Sequence, residues 1–152
     1  MTAGAIDLLY ASPQGHLCLV ETKLWRNPEA HRTVLAQILD YAKDLSRVSY
    51  PDFSTKIERM ATRRGNSQSL LQLMSRAAPN GGFDSVHFEE NIRRVLRTGG
   101  FELFIVGDRI RPEVALLTEI LSTAANLEFS LHLMEIAFYR LHDGRRHTDH
   151  RR

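Results

Sequence analysis

Four polar residues interrupt an otherwise apolar or turn-forming stretch near the start of the chain: Asp7, Glu21, Lys23 and Gln37. Asp7 is the sole break in the apolar run 5–11, and Glu21-Thr22-Lys23 closes a second run that contains Leu17, Cys18, Leu19 and Val20. A carboxylate inside an apolar run is costly unless something offsets its charge. If Asp7 and Glu21 meet, the pair needs a cation. Lys23 supplies part of that charge, and a hard divalent metal would supply the rest through oxygen ligands. The competing reading of Glu21 and Lys23, taken alone, is a strand-end ion pair of little energetic weight.

Whether these residues meet depends on the elements that carry them. The run 5–11 predicts a strand buried on both faces. Ser12-Pro13-Gln14-Gly15 carries turn chemistry, Pro fixing φ and Gly accepting a positive φ. Residues 16–23 then resume as a strand, and so short a connection predicts an antiparallel hairpin. Alternation puts Glu21 and Lys23 on one face. A three-residue loop, 13–15, sets Ser12 opposite His16 and Asp7 opposite Glu21, with Cβ atoms roughly 4.5–5.5 Å apart. A two-residue loop sets Val20 opposite Asp7 instead. Next, Asn27 suits a helix cap, Pro28 the first helical position and Glu29 the positive end of the dipole. Val34, Leu35, Ile38, Leu39, Tyr41, Ala42 and Leu45 form the apolar face of that helix. Gln37 lies at its margin, placed either to point inward along the sheet or to serve as an ordinary surface residue.

The ordered set Asp7, then Glu21-Thr22-Lys23, then Gln37-Ile38-Leu39-Asp40-Tyr41, on strand, strand and helix, resembles the PD-(D/E)xK nuclease superfamily. The branch it resembles carries a Gln-x-x-x-Tyr motif on the helix after the hairpin. A lone Glu-x-Lys is common, so the resemblance rests on the order and the elements, over about a quarter of the chain. It implies an α/β fold with a restriction-endonuclease-like mixed central sheet flanked by helices. The implied activity is metal-dependent hydrolysis of DNA phosphodiester bonds. By that resemblance Asp7 and Glu21 hold Mg²⁺ or Mn²⁺, with the backbone carbonyl of Thr22 as a further ligand. Lys23 orients or activates water and stabilises charge on the phosphorane, and Gln37 assists beside the site. Nucleic acid is the implied partner, DNA in preference to RNA.

One departure supports a different class of function. In the family, a helix ahead of the first strand often contributes an acidic residue to the metal site, whereas here that strand begins a few residues after Met1. The alternative is a catalytically inactive module of the nuclease fold that binds nucleic acid or a protein partner.

Composition sets outer bounds. A chain of 152 residues suits one domain, expected over 1–141, with a basic disordered tail over 142–152. No apolar run is long enough to cross a membrane, the N-terminus lacks a signal layout, and the single Cys18 cannot form an internal disulfide. An intracellular, cytoplasmic protein without a membrane partner is the plain reading. Net charge is only +2, but lysine occurs only at 23, 43 and 56, so seventeen of the twenty Lys and Arg residues are arginine. Arginine's planar fork suits phosphate and carboxylate alike.

Downstream, residues 47–53 read as a loop and 54–60 as a short helix, followed by the basic patch Arg59, Arg63 and Arg64. Residues 67–76 read as helical. Asp84 or Ser85 opens a helix whose acids come early and arginines late, matching the dipole, and which stops at Gly99. Residues 101–106 read as a strand, and Arg111-Pro112-Glu113 opens another helix. Asp108, Arg109 and Arg111 lie where ligands often bind in α/β sheets, yet turn residues are routine there. The last strand, 127–139, alternates as an edge strand does and then becomes apolar on both faces. That exposed edge is consistent with a homodimer. His142, His147 and His150 lie in a tail with nothing to fix their spacing, which disfavours zinc there.

Overall fold

The computed structural model describes residues 6–23, 30–110, 112–123 and 128–137. Strand β1 (Leu8–Ala11) and strand β2 (Leu17–Lys23) form the expected antiparallel hairpin. Its loop is the three-residue one: Ser12 N–H donates to the His16 carbonyl (3.0 Å) and Gly15 N–H to the Ser12 carbonyl (2.9 Å). The ladder pairs Leu8 with Val20 and Ala11 with Leu17, and one further step sets Asp7 across from Glu21. The turn is anchored from outside. Gly15 has φ +83°, and a Cβ there would lie 2.5 Å from Asn91 Cβ and 3.0 Å from the Phe88 carbonyl oxygen. Asn91 in turn donates through Nδ2 to the Gln14 carbonyl (2.8 Å).

Four helices follow: α1 (Ala30–Leu45), α2 (Tyr50–Arg63), α3 (Leu70–Ala77) and α4 (Ser85–Thr98). The chain then forms β3 (Glu102–Gly107), α5 (Pro112–Ser122) and β4 (Ser130–Glu135). Helix α2 begins earlier than the expected loop allowed. Ser49 Oγ accepts from the Asp52 N–H (3.3 Å), and Pro51 occupies the first turn, where a missing N–H costs nothing. A reciprocal Ser69–Gln72 capping box starts α3. Asp84 caps α4 by accepting from Val86 and His87 (3.0 Å each), and Gly99 ends it at φ +75°. The expected cap of α1 at Asn27, Pro28 and Glu29 lies outside the described residues, as do Arg111, the outer parts of the last predicted strand and the tail.

The result is a mixed four-stranded sheet, order β1-β2-β3-β4, flanked by helices. Strands β2, β3 and β4 are mutually parallel. Both crossovers step the same way across the sheet, so right-handed connections carry their helices to one face. Burial agrees. Leu17, Leu19, Leu103, Ile105 and Leu131 are buried with Val34, Ile38, Phe88, Ile92 and Val114 in one core. The opposite face carries the exposed residues Leu8, Tyr10, Thr22, His132 and Met134. This corrects the expectation that the first strand is buried on both faces: Leu8 is 44% and Tyr10 57% exposed. An apolar run at a sheet edge has the same composition as one in its centre, and only the crossover direction separates the two.

Gly15→Ala should cost about 1–3 kcal/mol, from a left-handed backbone plus overlap with α4. The check is a lower urea midpoint with an unchanged slope.

Candidate functional site

The site residues sit where the hairpin opens, at the end of β2. Glu21 points to the helical face of the sheet, beside Ile105 on β3, and is 1% exposed. Its Oε1 pairs with Lys23 Nζ at 2.9 Å, and the Lys23 side chain is 30% exposed. Its Oε2 is buried and, among the described residues, has no hydrogen-bond partner. Leaving one oxygen of a buried carboxylate unmatched costs about 1–3 kcal/mol, more when the group is charged. An ion pair kept only for stability has no reason to retain that cost.

Asp7, by contrast, is exposed and fully engaged on one oxygen. Its Oδ2 accepts from the Thr22 backbone N–H (2.8 Å) and from Thr22 Oγ1 (2.7 Å). The backbone N–H, and then the hydroxyl, hold the Asp7 carboxyl below the usual carboxylate range. Slight burial opposes this, and the charge of Lys23 adds a smaller lowering. Asp7 is therefore ionised at neutral pH.

Asp7, Glu21, Thr22 and Lys23 thus gather at one hairpin end, as two linked pairs rather than one cluster. Asp7–Thr22 spans the two strands, and Glu21–Lys23 runs along the second. Register sets Asp7 opposite Glu21, but the Asp7 carboxylate bonds Thr22 instead. Composition favours that choice, because facing carboxylates repel while an N–H and a hydroxyl attract. Thr22 therefore gains a donor role that its place between Glu21 and Lys23 did not signal. The available hint was a hydroxyl residue diagonal to an acid across a strand pair.

Gln37 is half-buried on α1, which packs on β2 and β3. Its Nε2 donates to Tyr41 Oη at 2.8 Å, one helical turn on. Among the described residues no hydrogen bond joins Gln37 to Asp7, Glu21 or Lys23. Beyond β3, Ile110 N–H donates to Glu135 (2.9 Å), and Asp108 and Arg109 occupy the exposed turn.

Metal capacity can be tested on these groups. Among the described residues no three His, Cys, Asp or Glu side chains converge on one point. Mg²⁺ does not demand such a cage, since it keeps several waters and takes one or two carboxylates plus substrate phosphate. The unmatched Glu21 Oε2 and the exposed Asp7 carboxylate form a hard-oxygen donor pair of that kind. In this structure the Asp7 carboxylate is turned to Thr22 and Glu21 is enclosed beneath the sheet's helical layer, so the two are not drawn together on one point. Comparison of the chain with protein-family models, with curated proteins and with solved structures finds no match.

Two outcomes follow. Because folding lowers the Asp7 pKa, its bond to Thr22 contributes stability that is complete above the unfolded value of about 3.9. That contribution is lost as pH falls through the folded value. Asp7→Asn should flatten the acid limb of the stability profile. Thr22→Val should raise the Asp7 midpoint in a carboxyl NMR titration only part of the way, since the backbone N–H remains. Glu21→Met should stabilise the metal-free protein by about 1 kcal/mol, because Lys23 can turn to solvent and no buried oxygen is left unmatched. Thermal melting in a chelator checks this.

Proposed function

We propose that this chain is a metal-dependent nuclease domain that hydrolyses DNA phosphodiester bonds, on a restriction-endonuclease-like arrangement of its sheet. The observation that carries the reading is the buried, unmatched Glu21 Oε2 beside Lys23, at the strand position facing Asp7. Asp7, Glu21 and the Thr22 carbonyl would hold Mg²⁺ or Mn²⁺. When bound, such an ion lowers the pKa of its water and offsets phosphate charge. Lys23 does the rest of the electrostatic work. Its ammonium, held at 2.9 Å by Glu21, is fixed at the strand end, where it orients the attacking water and stabilises charge developing on the phosphorane oxygens. Gln37 assists from α1, with its amide oriented by Tyr41. DNA is preferred to RNA because the resemblance leans that way.

A second reading has its own observation. Asp7 bonds Thr22 rather than turning toward Glu21, an arrangement that suits an inactive module of the same fold binding nucleic acid or a protein partner.

The test is cleavage of single-stranded, double-stranded and branched DNA with and without Mg²⁺. Lys23→Ala should lower metal-dependent cutting at least about 100-fold, and Mg²⁺ should raise the melting temperature of the native chain but not of Asp7→Asn. Absence of both cutting and the metal-dependent shift would remove the enzyme reading and leave the binding module.

A further inference from the structure

Beside Asp7, a groove of about 550 Å³ runs between the β1 edge of the sheet and helices α1 and α2. This lies within the 300–1,000 Å³ range typical of ligand pockets. Its base is apolar and closed: Leu19, Tyr41 and Phe53 are all buried. Its walls are apolar and open. Tyr10 on the strand side is 57% exposed and Met60 on the helix side is 50% exposed.

The rim adds charge. Lys56 and Arg64 line the groove from α2. Arg59 and Arg63 follow Lys56 at i+3 and i+7, so the cationic stripe continues from the rim onto the outer surface of the helix. All four are exposed, and none of their side chains forms an ion pair or hydrogen bond among the described residues. The acids of the same helix are not positioned to neutralise them. Glu58 is occupied by Ser54 Oγ (3.2 Å) and by the Leu70 N–H (2.9 Å), and Asp52 is tied to the Ser49 cap (2.7 Å). The remaining acids of the groove, Asp7 and Asp44, come from the strand and α1 sides. A ligand is therefore directed with its anionic part toward α2 and its apolar part into the slot, where Asp44 can accept from an amino group.

We propose that this groove binds an unstacked base of single-stranded DNA, with the adjoining phosphates held by Lys56 and Arg64 and tracked along Arg63 and Arg59. A base in a duplex offers its face only to its neighbours in the stack, so an apolar slot of this kind can be entered only by a base that has left it. Asp7, one of the candidate metal ligands, borders the same groove on its strand side. The inference rests on the nucleic-acid reading above and names the substrate form.

The test is fluorescence anisotropy with a labelled twelve-nucleotide single-stranded oligodeoxynucleotide (~12 nt, roughly the upper range of single-strand site sizes) and its duplex, in EDTA, where cutting is silent. The single strand should bind at least about tenfold more tightly than the duplex. Met60→Asp should weaken it about tenfold, by placing a charge in the apolar wall of the slot. Lys56→Glu with Arg64→Glu should weaken it further and reduce the magnitude of the log–log salt slope by about 1.4, for two single-strand phosphate contacts. Arg97→Glu, a single charge reversal on α4, should leave binding within about twofold. Circular dichroism and melting confirm that each variant is folded. Equal or tighter duplex binding, or affinity unmoved by the Lys56 and Arg64 reversals in folded protein, would overturn the proposal. So would a fluorescent fatty acid that fills the groove and is not displaced by the oligonucleotide. Single-strand binding that survives without any metal-dependent cutting would retain the groove and remove the nuclease reading. Cutting that is lost in Lys23→Ala but indifferent to the groove variants would do the reverse.

Discussion

The register of one hairpin governs what the rest of the molecule can do. Side chains on a strand alternate with a period of two, so a one-residue slip between β1 and β2 would exchange the buried and exposed faces. Glu21 would then face solvent, and Leu19 with it. The three-residue loop fixes the register through the Ser12 to His16 pairing, and α4 locks it from outside by closing on Gly15 and bonding the Gln14 carbonyl. The position of Glu21 relative to Asp7 is thus held by a helix that begins more than sixty residues later. Hairpin and helix are coupled because no Cβ fits between them.

Once the register is fixed, burial of Glu21 follows from the layer above it. The face of β2 that carries Leu17 and Leu19 ends in a carboxylate, and α1 and β3 enclose all three positions alike. Among the described residues enclosure gives the Glu21 carboxylate one side-chain partner, Lys23, and leaves its second oxygen without one. Apolar residues of similar size would pack there at lower cost. Sites that hold charge in this way trade stability for chemistry. The cost is carried at the hairpin's open end, one step beyond the last pair of β1 and β2, Leu8 with Val20.

Much of this was legible in the residues themselves, for local physical reasons. The hairpin turn, the Asp84 cap, the Gly99 stop and the alternation of β2 all depend on groups a few positions apart. The start of α2 was misplaced because Pro51 next to Tyr50 and Asp52 looks like turn chemistry unless Ser49 is recognised as the cap. The exposure of β1 was not legible at all, because it depends on two crossovers placing their helices on the same face of the sheet. The Asp7–Thr22 bond lay between these cases. Register put the acid opposite Glu21, yet its carboxylate turned to two neutral donors, the Thr22 N–H and hydroxyl.

Gln37 shows why spacing alone does not assign chemistry. Positions i and i+4 face the same way on a helix, and that geometry lets the Gln37 amide brace the Tyr41 hydroxyl. Tyr41 is buried, and its ring forms part of the base of the groove that Asp7 also borders. The amide therefore acts on this end of the molecule by holding a ring, and the ring by shaping the space beside the carboxylate. An apolar residue at position 37 would remove this hydrogen bond to the buried phenol oxygen. The motif spans a single helical turn, but through Tyr41 it links α1 to the strand end where both candidate ligands sit.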